Sequence, residues 1–134
     1  MPGIFACGNV LHVHDLVDHV SNESFRAGHA AAAFVRGAKK AEGFLRVEDG
    51  FGVRGTVPQR IGTHPAEPVT LMFRPSAVFR NASAVVSCGG RELLRKKAMI
   101  FTPGEMAAYE LKPELLADLD GTEPIVVQME EGRK

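Results

Sequence analysis

Within eight residues, His12, His14, Asp15, Asp18 and His19 crowd together side chains able to hold a metal ion or carry a proton. His-x-His is a common ligand spacing in zinc sites, and an imidazole ionises near neutrality, so proton transfer is open to the same groups. We read this stretch as a polar loop with one histidine hydrogen-bonded and the others solvated, and assign it no metal. His14 and Asp15 are the candidates for proton transfer or electrostatic tuning. Immediately ahead lies Gly8-Asn9-Val10, a polar turn after an apolar run. Cys7 and Cys88 are far apart and form no CxxC pair, which argues against a disulfide framework or a cysteine metal site. Cys7 reads as a small apolar residue of a strand, and no activating neighbours mark Cys88. Arg91, Arg95, Lys96 and Lys97 form the one basic cluster, read as a solvated hairpin whose alternation splits them between faces.

Residues 3–8 should form a short buried strand closed by glycine, and residues 10–20 an irregular loop. Ser21 or Asn22 would then cap a helix over residues 23–37, with Gly37 as its stop. Gly28, Ala31, Ala32 and Val35 fall on one face of that helix, small enough to lie close against a sheet. A domain boundary is expected at Lys39-Lys40-Ala41-Glu42-Gly43, dividing the chain into residues 1–43 and 44–134. Beyond it, strands are expected over residues 69–74, 82–88, 92–101, 106–111 and 124–130. Gly89-Gly90 suits a two-residue hairpin turn, and Pro113 starts a short helical turn within residues 112–119. The fold class expected is α+β: a short N-terminal βα segment followed by a small antiparallel β-sandwich of the immunoglobulin or fibronectin kind.

The 134 residues suffice for one compact domain and an appendage. Sixteen basic residues balance sixteen acidic ones, so no field is present to attract nucleic acid or a membrane surface. Apolar runs such as residues 30–35 are far below the roughly 20 residues needed to cross a bilayer. With no secretory signal apparent, the expected location is cytoplasmic.

The segment Pro2-Gly3-Ile4-Phe5-Ala6-Cys7-Gly8-Asn9-Val10 resembles the last FAD-contacting motif of the FAD-dependent pyridine-nucleotide oxidoreductases, which usually ends in Gly-Asp. The run from Cys7 to Asp18, Cys-Gly-Asn-Val-Leu-His-Val-His-Asp-Leu-Val-Asp, is similar to the bacterial NAD(FAD)-dependent dehydrogenase branch. Residues 57–61, 69–74 and 102–106 look like that branch's C-terminal extension. The resemblance implies that residues 1–43 are the βα remnant of an FAD-binding domain. Gly8, Asn9, Val10, His14, Asp15 and Leu16 would then line the cofactor. Asn9 stands where the family has an acid, keeping a hydrogen-bonding side chain without its charge.

A dinucleotide cradle needs Gly-x-Gly-x-x-Gly between a strand and a helix, and the chain has none. FAD would therefore bind only together with an upstream flavoprotein portion or partner subunit, with NAD(P) as co-substrate of the intact enzyme. The chain alone would be inactive, and Met1 would stand where the upstream portion should precede it. The alternative is a stand-alone β-sandwich interaction module that oligomerises or docks on a partner through its N-terminal segment.

Overall fold

The computed structural model describes Met1, residues 3–38 and residues 41–132. Pro2 of the resemblance motif and Lys39-Lys40 of the expected boundary lie outside the described residues. The chain divides into two compact units, Met1–Lys40 and Ala41–Lys134.

In the first unit the expected strand over residues 3–8 is absent: residues 4–7 form no strand ladder. A strand needs a neighbour for its N–H and C=O groups, and this unit holds no other strand among the described residues. The segment is instead fastened by Phe5, whose ring meets Phe34 edge-on at 6.0 Å between centroids. A single 3-10 turn at Gly8–Val10 follows, and then helix α1, Val17–Val35.

α1 starts six residues before the expected position because Ser21 and Asn22 do not cap it. Leu16 occupies the N-cap in extended conformation, without a side-chain cap. The Ser21 hydroxyl donates to the Val17 carbonyl at 3.3 Å and that of Ser24 to Val20 at 2.9 Å. Both serines thus satisfy themselves inside the helix, an alternative open to hydroxyls four residues after a carbonyl. The C-terminus ends as expected at Gly37, whose φ of +75° permits the reversal. Gly37 N–H donates to Phe34 O and Ala38 N–H to Ala33 O, both at 3.0 Å, the paired bonds of a Schellman stop.

The face of α1 turned inward differs from the expected one. Glu23 is its buried residue, flanked by half-buried Val20, Ala27 and Ala31, while Gly28 and Ala32 are exposed and Val35 is 84% exposed. Phe25, 69% exposed, stands on the open side. An open groove runs along it, with Val20, Phe25, Gly28 and Ala32 among its lining and Ser21, Ser24, His29 and Arg36 beside them.

The second unit is built of strands in two sheets. β1 (Phe44–Asp49), β3 (Arg60–Gly62), β5 (Phe79–Cys88), β6 (Arg91–Phe101) and β8 (Ile125–Glu131) form one, in the order β3-β1-β8-β5-β6. β2 (Val53–Val57), β4 (Val69–Pro75) and β7 (Ala107–Leu111) form the other, in the order β2-β4-β7. The one-turn helix α2 (Pro113–Leu116) has proline in its first turn, as the sequence predicts. The five later strands stand where expected. β1, β2 and β3 are additional, and they change the topology: β8 is antiparallel to β5 and parallel to β1, so the sheets are not wholly antiparallel.

Alternation along β1 buries Leu45 and Val47. With Leu71, Phe73, Val86, Leu111, Ile125 and Val127 they belong to one core drawn from both sheets. Two turns depend on backbone freedom. Gly89 and Gly90, at φ +54° and +80°, close the β5–β6 hairpin as both positions of a primed turn require. Between β1 and β2, Gly52 at φ +74° passes so close to the core that a Cβ there would stand 2.5 Å from the Phe79 ring. The Asp49 carboxylate accepts from Gly55 N–H at 2.7 Å and Thr56 N–H at 3.0 Å, holding a bulge in β2.

Candidate functional site

The sequence places its chemistry in residues 8–23, and one carboxylate organises them. Cys7 is extended at φ −154° and Gly8 turns to φ +69°, a left-handed conformation that favours glycine. The Gly8 carbonyl accepts from Leu11 N–H at 2.9 Å and His12 N–H at 3.2 Å, closing the turn. Its buried N–H donates to Glu23 Oε2 at 2.5 Å.

His12 and His14 are two residues apart on the segment between the turn and α1. Their rings meet edge-on at 4.3 Å between centroids. Both reach Glu23: His12 Nε2 lies 2.6 Å from Oε1, and His14 Nε2 lies 3.0 Å from Oε2. The three side chains are 10%, 1% and 8% exposed for His12, His14 and Glu23. The first contact is a hydrogen bond. In the second, the ring is not aligned as a donor, and both His14 nitrogens lack a hydrogen-bond partner among the described residues.

Burial works against ionisation of Glu23, but the neighbouring His14 and His12 and the Gly8 N–H outweigh it and hold its carboxyl below the usual range. The ionised form is the one the surroundings favour. His19 stands apart, exposed, with its ring 6.2 Å from that of His14.

Of the residues proposed to line a cofactor, Gly8 and His14 are brought together through Glu23. Asn9, Val10, Asp15 and Leu16 are exposed along the same segment and share no buried pocket with them. Gly8 offers no free N–H, because Glu23 occupies it, so its part is to set the direction of the turn. His14 is buried rather than solvated, contrary to the expectation of one bonded and two solvated imidazoles; the neighbouring helix closes over it.

Glu23 and His12 complete the cluster and were not among the residues proposed as site residues. The available signal was the helical spacing of Val20, Glu23 and Ala27, which puts a carboxylate on the inner face once α1 is begun at Val17. Comparison with protein-family models, curated proteins and solved structures finds no match.

Elsewhere the other candidates resolve into ordinary structure. Arg95 bridges Glu92 at 2.7 Å and Glu130 at 2.8 Å, and Arg91 reaches Asp118 and the Leu115 carbonyl, so both arginines of the basic cluster are paired. Cys7 and Cys88 are free thiols. Burial, with Glu123 nearby, pushes the Cys88 thiol up and away from nucleophilic use. A cavity of about 180 Å³ beside β6 and β7 is lined by Ile100, Phe101, Glu105, Met106 and Tyr109. Among the described residues no helix is long and apolar enough to cross a membrane.

Proposed function

We propose that the chain is a C-terminal fragment or subunit of an FAD-dependent, NAD(P)-linked oxidoreductase, supplying one wall of the flavin site and a β-rich domain of the immunoglobulin or fibronectin kind. The observation that carries this is the start of α1. A glycine turn leads into a 19-residue helix whose N-cap residue, Leu16, makes no side-chain cap; the His19 N–H bonds the Leu16 carbonyl at 3.1 Å, so the Val17 and Asp18 N–H groups are the ones offered to a polar cofactor edge. The residues present fit that use. Asn9 is exposed on the turn with both amide donors and an acceptor, and the positive end of the helix dipole lies at Val17.

When bound, the flavin supplies hydride acceptance from NAD(P)H. The chain's own part is electrostatic: first-turn N–H groups stabilise negative charge at the flavin's N1–O2 edge, and Glu23 keeps the turn in place by holding Gly8. The exposed apolar side of α1 and the absence of a strand ladder over residues 4–7 suit a βα remnant that completes its packing on an upstream flavoprotein portion. A cytoplasmic location belongs to the same proposal and is supported by the two unpaired thiols.

The same exposed face favours a second reading, an interaction module that docks on a partner or on another copy. A flavin titration by absorbance and fluorescence separates the two. Binding that requires the upstream polypeptide is the expected result; no binding with or without it would remove the cofactor role. Self-association of the chain by light scattering, in that event, is what the module requires.

A further inference from the structure

We infer that His12, His14 and Glu23 form a binding site for one divalent cation of the zinc class. It stands independently of the flavin proposal. One ligand atom from each residue falls within 4.8 Å of the others. Two imidazoles with one carboxylate make a borderline donor set, suited to zinc and late first-row metals and unsuited to calcium or magnesium, which select oxygen ligands.

The decisive feature is His14. Its side chain is 1% exposed, and neither ring nitrogen has a hydrogen-bond partner among the described residues. Burying an imidazole costs free energy unless its nitrogens find partners, and the contact with Glu23 serves Nε2 alone, leaving Nδ1 without one. Yet Nε2 is 3.0 Å from Glu23 Oε2 and does not point its hydrogen-bonding direction at it. Both atoms are buried and 3.0 Å apart, near enough to share one ion.

Tetrahedral zinc with bonds of about 2.0–2.1 Å keeps its ligand atoms roughly 3.3 Å apart, so atoms within 4.8 Å of one another need adjustments of up to about 1.5 Å. His12 Nε2 and Glu23 Oε1, at 2.6 Å, would separate the most. The Gly8 N–H on Oε2 supplies the outer hydrogen bond that orients a ligating carboxylate. Two ligands come from the segment after the turn and one from α1, so an ion ties the turn to the helix. Three protein ligands leave a fourth position for water or a group from another molecule.

The test uses the full chain, stripped with a chelator and titrated with Zn²⁺ against a chromophoric competitor and separately with Co²⁺. Expected are one equivalent per chain and the intense visible bands of four-coordinate Co²⁺. Loss of an outer-shell partner costs 10–100-fold in affinity, so Glu23→Gln and His14→Ala should each weaken binding by about 100-fold or more. His19→Ala, outside the cluster, should leave it unchanged. Because His14→Ala risks loosening the helix, X-ray absorption of the unaltered Zn²⁺ chain gives an independent reading: two imidazole ligands and no sulfur. Absence of stoichiometric binding, affinity untouched by both substitutions, or sulfur in the shell would each overturn the site.

Discussion

Removing the Glu23 carboxylate should release the Gly8 turn while leaving the second unit intact. Gly8 N–H is buried and donates to an ionised oxygen, a bond worth about 1.5–3 kcal/mol, and without it the donor is left unsatisfied. For Glu23→Ala the loss in local stability at Gly8 is therefore about 2–3 kcal/mol, or roughly 30–150-fold in the opening constant. Glu23→Gln keeps an acceptor of similar shape without the charge. The difference between a charged and a neutral bond is then about 1–1.5 kcal/mol, roughly 5–12-fold. Amide hydrogen exchange read by NMR, in chelator so that no metal contributes, reports Gly8 directly. Val86, fully buried in β5, is the control and should not change. Equal Gly8 exchange in the unaltered chain and both variants would refute the claim that Glu23 holds the turn.

The β-rich unit offers two further tests. Gly52→Ala carries the cost of a positive φ, about 1–2 kcal/mol, plus overpacking of about 1–3 kcal/mol against Phe79 and Met129, whereas Gly55→Ala, at φ +67° with open space around it, carries only the first; equal shifts in urea unfolding would contradict the close approach at Gly52. Tyr109, the single tyrosine in a chain without tryptophan, is raised by burial and then by Glu105, so its ultraviolet titration should fall above the usual value of about 10 and return toward it in Glu105→Gln. With the folded value raised, its contribution to stability is full below about pH 10 and fades as pH rises through the folded value, so the urea midpoint should drop only on that alkaline side.

The strands legible in the sequence are those whose apolar residues run long enough to declare a period. Residues 69–73 and 82–88 are runs of apolar or small side chains bounded by turns, and Gly89-Gly90 reads as a hairpin between residues 82–88 and 92–101. β1 to β3 escaped because glycines at 50, 52 and 55 look like loop punctuation, while here they serve a tight turn and a bulge. The parallel β1–β8 pair joins residues nearly eighty positions apart, beyond any local pattern. At the site, the histidines announced themselves by density. Glu23 did not, because Ser21 and Asn22 offered a plausible cap and so put the carboxylate in a first helical turn, where acids are commonplace. Once the two serines bond within the helix, that residue moves to the second turn and faces inward.

α1 distributes its residues in reverse for a self-sufficient unit: the charged Glu23 faces in, and Phe25, Gly28, Ala32 and Val35 face out. In proteins a helix draws most of its stability from packing an apolar face rather than from propensity. Its inner side contributes one carboxylate, three half-buried small or branched side chains and the Phe34 contact. Any surface that covers the outer groove therefore adds to the stability of α1. Glu23 is carried on that helix and Gly8 is carried on Glu23, so ordering α1 also orders the turn, both histidines and the uncapped N-terminus. On the flavoenzyme proposal, docking against the upstream portion and assembly of the cofactor wall are then one event, transmitted through a single carboxylate.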